Sequence, residues 1–422
     1  MSSVQLPAEL WAHIFEDNAY GVLDSQDLVA ITRCCRRFYN LAITILYQRI
    51  VWMDPALFVQ SLGMWRACAS IASLPRSLVI GLSAPSVNLI SIANMIDADG
   101  AHVAIADTFL AREHIRYTAR TALSLQKGLQ TPMLATHSLH STMINLASSF
   151  SNLTTLVFKS CILPKRLRNF VRQFPRLHTL HIEGCAIPEN GIEDQDTDDA
   201  PLMIEDFRIF DVKTHWTTLD HLDTLTSSPF LISLHVDPTA FRFIQAPWKD
   251  RAPPINLRFL TIHAPRHGDL EEGLVRMLLY RLGWMLHSCP KIQVIETVFP
   301  FMEDINHGIS LNGLSHFENY DLRRYSGPIS SLCYIPFVRA AQSLQSLHVW
   351  NNTNRDWIEI ISRLSRCKNL RVLSLSLSRW DEGIMWAIIT HLVTLKGLVR
   401  LKISYEVNDP DLVSSAATSS LG

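Results

Sequence analysis

The sequence predicts an α/β chain in two parts: a small N-terminal helical unit, then a long curved solenoid with parallel strands on its concave face and helices on its convex face. Three observations carry that expectation. A leucine-based phrase recurs ten times from Leu153 onward. Helical apolar spacing fills several of the gaps between its copies. The first fifty residues carry two helix-start signals before any strand pattern begins.

Composition sets the bounds. With 48% apolar residues, a chain of 422 residues can bury a large core. Charged residues make up only 18%, below the roughly 25% usual in soluble domains, which points to extensive buried surface or a standing partner, with the first favoured. Lys plus Arg total 38 against 39 for Asp plus Glu, so no net field draws the chain to nucleic acid or to an anionic membrane. No secretory leader pattern opens it. The eight cysteines form no CxxC pair and no regular framework, which fits a reduced compartment and places the protein in the cytoplasm or nucleus. Ser77 to Ile96 is uncharged over 20 residues, but Pro85, two Asn and four Ser make it strand, turn and buried helix rather than a membrane span.

In the first part, Leu6, Leu10 and Ile14 with Phe15 share one helical face, Pro7 sits in the first turn, and Glu9 favours the positive helix end. Asp24 and Asp27 then start a second helix, with Leu28, Ile31, Cys35, Phe38 and Leu41 at helical spacing. Cys34 and Cys35 are assigned to its apolar face, where packing is the expected role. So small a unit buries little by itself and needs to dock. From periodicity alone it is either a cap on the following domain or a partner's interface.

The stretches "LPAELWAHIF", "DLVAITRCCRRFYNLA" and "LYQRI" resemble the F-box over about residues 5–50. Leu6, Pro7, Glu9, Leu10, Ile14, Phe15, Asp27, Leu28, Cys35, Arg36, Phe38 and Leu46 fall in the family's order, with Cys34 where the family often has Val. The resemblance implies binding of a Skp-family adaptor, and through it cullin and RING subunits of an SCF-type ubiquitin ligase. The implied adaptor contacts are Leu6, Pro7, Glu9, Leu10, Ile14, Phe15, Leu28, Ile31, Cys34, Cys35, Phe38, Leu41 and Leu46.

In the second part the phrase begins at residues 153, 177, 204, 231, 257, 292, 322, 344, 370 and 398, as in "LTTLVFKSC" and "LRVLSLSLS". Seven of the nine intervals lie within the roughly 20–29 residues of leucine-rich repeats, and the phrase carries their L-x-x-L-x-L core. Cys161 and Cys185 close the first two copies only, so later repeats are degenerate. Helical spacing between phrases runs through Leu163, Leu167, Phe170, Val171 and Phe174, through Leu270, Leu274, Leu278, Leu282 and Met285, and through Ile384, Ile388, Leu392 and Leu395. The predicted organisation is an F-box at 5–50, a linker and atypical first repeat at 51–152 with a strand near Ser77, a solenoid at 153–407 and a flexible tail at 408–422. The acidic run Glu193 to Pro201 is expected to project into water.

Phrase positions three, five and seven alternate with the leucines and should line the concave face. Position five reads Val157, His181, Arg208, His235, Thr261, Glu296, Ser326, His348, Ser374 and Lys402, and position seven adds Lys159, Glu183, Phe210, Asp237, His263 and Trp350. The candidate substrate contacts are His181, Arg208, Phe210, His235, Glu296, His348, Trp350 and Lys402, with aromatics as anchors. Charges of both signs do not form the Arg-only cluster expected for a phosphopeptide. His181, His235 and His348 are placed in separate repeats, which gives no reason for a metal site. Lys165, Arg166, Arg168, Arg172 and Arg176 form a basic helix face without aromatic stacking partners, read as solvated rather than as a nucleic-acid site. No nucleotide-binding, zinc-protease or serine-hydrolase motif is present, so no catalytic residue, metal or cofactor is assigned.

The function that follows is a non-catalytic substrate receptor of an SCF-type ligase, holding an unknown protein target. The rivals are a non-degradative scaffold and an enzyme on a flat α/β sheet.

Overall fold

The computed structural model describes residues 25–67, 70–81, 140–164, 167–186, 201–212, 223–241, 253–263, 282, 285–286, 288–297, 321–328, 342–351, 364, 367–377 and 382–405. The chain divides into two compact units, Met1–Ile204 with Val212–His221, and Glu205–Asp211 with Leu222–Gly422.

The first unit opens, among described residues, with α1 (Ser25–Thr32) and α2 (Arg36–Gln48). This corrects the single helix expected through Leu41. Arg33 N bonds Ala30 O and Cys34 N bonds Ile31 O, each at 3.1 Å, closing α1 in a tight turn. Cys35 is extended, and its Sγ accepts from Phe38 N at 3.5 Å to cap α2. Both Cys34 and Cys35 are exposed, so they do not pack in the chain's own core as expected. The turn keeps Ile31 and Cys35 four residues apart, so apolar spacing alone does not reveal the break.

No linker separates α2 from the first strand, β1 (Arg49–Trp52). α3 (Pro55–Ala67) follows, then β2 (Ser77–Gly81), β3 (Thr155–Lys159), α4 (Leu167–Arg172) and β4 (Thr179–Glu183). The four strands run parallel in chain order, with Ile50 beside Leu78 and Trp52 beside Ile80. Five ring pairs link α2, α3, β1 and Phe150 at this end of the sheet. Trp65 meets Tyr47 at 5.5 Å, Phe150 at 5.3 Å and Trp52 at 6.4 Å, while Trp52 also meets Phe58 at 5.0 Å and Phe150 at 5.5 Å. Each such pair contributes about 0.5–1.5 kcal/mol beyond area burial, so the last helix of the N-terminal unit is fastened to the first strand.

The second unit holds β5 (Asp206–Phe210), α5 (Asp223–Thr226), β6 (Ser233–Val236), α6 (Pro238–Phe241), β7 (Phe259–Ile262), β8 (Val294–Thr297), β9 (Arg324–Pro328), β10 (Ser346–Asn351), β11 (Val372–Leu377), α7 (Glu382–Leu392) and β12 (Arg400–Tyr405). These eight strands are also parallel and in chain order. β3 to β12 therefore realise all ten phrases, each strand starting at phrase position three. Positions four and six supply the buried side chains, among them Leu156 and Phe158, Leu234 and Val236, and Leu373 and Leu375. Helical residues between phrases bury Phe170, Leu282, Met285, Leu286 and Ile388. The chain is thus a helical unit followed by leucine-rich repeats.

Within each unit a main-chain ladder fixes a repeat to the one before it. Within the second unit, the position-two carbonyl accepts the N–H groups of positions two and three of the next copy at 2.8–3.0 Å, from Glu205 with Ile232 and Ser233 to Arg371 with Val399 and Arg400. The residue just ahead of the phrase adds a side-chain rung: Asn256 Nδ2 donates to Pro229 O at 2.7 Å and Asn369 Nδ2 to Gln342 O at 2.5 Å. The first unit uses the same bonds, and its buried Cys161 and Cys185 meet sulfur to sulfur at 3.8 Å as free thiols. Burial pushes the Cys161 thiol well up, as does its neighbour Cys185, so it packs as a neutral apolar group. At β9 the buried row admits Tyr325 only because Gly327 is its neighbour: a Cβ there would overlap the Tyr325 ring end and Thr297 Oγ1.

The expected solvated basic helix is also corrected. Arg168 is buried and Arg172 is half-buried on α4, while the exposed Arg176 donates to Asn152 Oδ1 at 2.9 Å. Residues 165 and 166 lie outside the described residues, as do 82–139, residues 193–200 of the acidic run and the tail.

Candidate functional site

The expected contact residues fall on two surfaces. On the N-terminal pair of helices, Leu28 is buried, and Ile31, Phe38, Leu41 and Leu46 are half-buried. Cys34, Cys35, Val29 and Tyr39 are exposed. Leu6, Pro7, Glu9, Leu10, Ile14 and Phe15 lie outside the described residues.

The second surface is the polar face of the repeats, where strand register brings the candidates together in rows. In the second unit Arg208, His235, Thr261 and Glu296 stand side by side on β5 to β8, followed by Ser326, His348, Ser374 and Lys402 on β9 to β12. The row beside it, at position three, includes Asp206, Ser233, Arg324 and Arg400. These four lie on the same face as the candidates, and their signal in the sequence is the same alternation one step earlier.

Over β5 to β8 the charges satisfy one another. Arg208 Nη2 donates to Asp206 Oδ2 at 2.7 Å, and His235 Nε2 lies 2.8 Å from Ser233 Oγ and 3.7 Å from Asp206 Oδ1. His263 stands edge-on to Phe210 at 4.9 Å and 6.0 Å from the His235 ring. Burial lowers the pKa of both histidines, with Arg208 acting in the same direction, while Asp206 raises that of His235, Asp237 that of His263 and Glu296 that of both. At the border with β9, Arg324 Nη2 meets Glu296 Oε1 at 3.2 Å.

Over β9 to β12 the polar face is cationic and hydroxyl-rich. Ser326 Oγ lies 3.3 Å from His348 Nδ1, Ser376 Oγ lies 2.9 Å from Ser404 Oγ, and Trp350 packs edge-on to His348 at 5.2 Å. Burial lowers the His348 pKa, and the Lys402 and Arg324 charges lower it further.

In the first unit, His181 lies 3.7 Å from Glu183, which also meets Lys159 at 3.6 Å. Position seven departs from the expected exposed row here and at β6, because Glu183 and Asp237 are buried. Asp237 follows the last residue of β6 and caps α6, accepting from Ala240 N at 2.6 Å and from Asp211 N at 2.5 Å. Among the described residues no cluster of three or more His, Cys, Asp or Glu is placed to hold a metal, and no helix is long and apolar enough to cross a membrane.

Residues 4–51 match the F-box-like family. The F-box segment therefore ends inside β1, at the first rung of the sheet. No curated protein matches the chain in sequence. Among solved structures it is similar to a chain of a TLR13–ssRNA13 complex, at 12% identity and a TM-score of 0.33, covering 81% of this chain and 38% of that one. It is also similar to a leucine-rich-repeat protein of Leptospira interrogans, at 10% identity and a TM-score of 0.17, covering 62% and 81%. The chain thus spans well under half the length of the first of these. The F-box and the repeats together make it a protein built for protein interaction.

Proposed function

We propose that the protein is the substrate-recognition subunit of an SCF-type ubiquitin ligase, in which the F-box binds a Skp-family adaptor and the repeats hold a target protein. The observation that carries this is the direct join of the two modules. The F-box match ends within β1, and α2 is locked to β1 and α3 through Tyr47, Trp52 and Trp65. A receptor needs such a join, because its contribution is proximity: a target held on the same chain as the adaptor gains effective concentration of its lysines near the charged conjugating enzyme. The protein supplies no chemistry of its own in this role, and cullin and RING subunits enter through the adaptor.

The test is binding of a purified Skp-family adaptor to the wild type and to a Leu10→Asp, Ile14→Asp double variant. A carboxylate desolvated at that interface has no partner, so binding should vanish while circular dichroism of the repeats is unchanged. Absence of wild-type binding would overturn the receptor role. Adaptor binding without ubiquitination of any held protein in a reconstituted ligase would make the chain a scaffold instead.

A further inference from the structure

The two halves of the polar face in the second unit differ in how their charges are used. On β5 to β8 the carboxylates Asp206 and Glu296 are already taken by Arg208 and Arg324. On β9 to β12 positions three, five and seven carry Arg324, Arg400 and Lys402, five serines and no carboxylate. Arg400 and Lys402 are exposed, and neither makes an ion pair with a described residue. Arg324 has one edge of its guanidinium on Glu296, and its remaining N–H groups are available to a second carboxylate. Between these cations lie neutral donors, the hydroxyls and the His348 ring, with Trp350 alongside as an apolar contact. Such a surface complements anionic oxygens at its two sides and a neutral chain in the middle.

We propose that this face takes an extended acidic segment of the captured protein, with one carboxylate on Arg324 and another on Arg400 and Lys402. The spacing follows from the sheet. β9 and β12 are three strand intervals apart, about 14 Å, and residues i and i+4 of an extended peptide are separated by about 14 Å with side chains on the same side. The ligand crossing the strands thus carries Asp or Glu at i and i+4, with the intervening i+2 side chain above His348 and Ser374. Glu296 bounds the site, because a carboxylate placed beyond Arg324 would meet its like charge.

This inference rests on reading the repeat face as the surface that captures a protein, and its test is separate from adaptor binding so that either can fail alone. The full chain is titrated into labelled peptides of Gly and Ser carrying two Glu residues separated by two, four or six positions. Parallel arms use the Gln counterparts and a peptide with phosphoserine in place of Glu. The four-residue spacing should bind most tightly and saturably. Its affinity should fall about tenfold or more in Arg400→Glu with Lys402→Glu, and stay level in Lys368→Glu with Lys396→Glu, which makes the same charge change in the exposed turns ahead of β11 and β12. Arg400→Gln with Lys402→Met guards against damage to β12 and should weaken binding in the same direction. No saturable binding by any Glu peptide, binding indifferent to both β12 variants, or binding by the phosphoserine peptide alone would each overturn the proposal.

Discussion

The first and last described strands of the repeat array carry the same kind of apolar residue in opposite circumstances. At β1, Ile50 and Trp52 are buried because α2, α3 and the ring cluster around Trp65 cover them. At β12, Leu401 stands in register with Leu373, yet it is 43% exposed where Leu373 is 1% exposed. Trp386 and Val393, on and just after α7, are exposed as well, at 66% and 79%. A repeat residue therefore has no fixed worth. In a stacked array stability is the sum of each repeat's own term and the interfaces on either side, and the helical unit supplies at β1 an interface that the described residues do not supply at β12.

Breaking the covered end should have the largest effect. Trp65→Ala removes the hub of the ring cluster and should cost about 3–5 kcal/mol, read as a fall in the urea midpoint of the first unit. Next, Leu373→Ala and Leu401→Ala compare one register position with and without a following strand among the described residues. The first should cost about 2–5 kcal/mol, the second half of that or less; equal costs would show that β12 is covered in solution. A smaller effect should come from acid. His235, His263 and His348 all have folded pKa values below their ordinary value, so the unfolded chain takes protons first as pH falls. The stability they carry is present above about pH 6.5 and is lost as pH drops through that value towards the folded pKa values, below which the loss levels off. Urea midpoints at pH 7.5 and 5.5 should therefore differ, and the difference should shrink in a His235→Gln, His263→Gln, His348→Gln variant. Smallest of all, Val393→Ser should lie within about 0.5 kcal/mol of wild type, because the side chain already faces water.

Much of the array was legible because its signal is periodic. Each of the ten phrases yields a strand, and the alternation names the inner rows. The elements that escaped are those where a local hydrogen bond decides the outcome. Cys35 caps a helix that apolar spacing ran straight through. β1 is four residues long and follows α2 without a turn signal, and it straddles the boundary that the sequence placed between an F-box ending at 50 and a linker starting at 51. Asp237 looked like one more surface carboxylate until the chain turned after β6 and buried it against two N–H donors. Arg168 shows the same limit on α4, since charge by itself does not tell which helical face is solvated. On the candidate face, position five was picked out while Arg324 and Arg400 at position three were not, although the pairing of charges is only visible when both rows are set side by side.

The forked carbonyl at phrase position two has a consequence for how such a chain can change. Because a copy takes its alignment, within each unit, from the backbone of the copy before it, phase is reset from repeat to repeat and errors of length do not accumulate. The intervals of 35 and 30 residues that flank β8 leave the pairing of Glu296 with Ser326 as regular as that of His348 with Ser374. Residues can be gained or lost between phrases without moving any side chain on the inner rows. A single residue inserted within a phrase would instead turn the leucines outward and the polar rows inward.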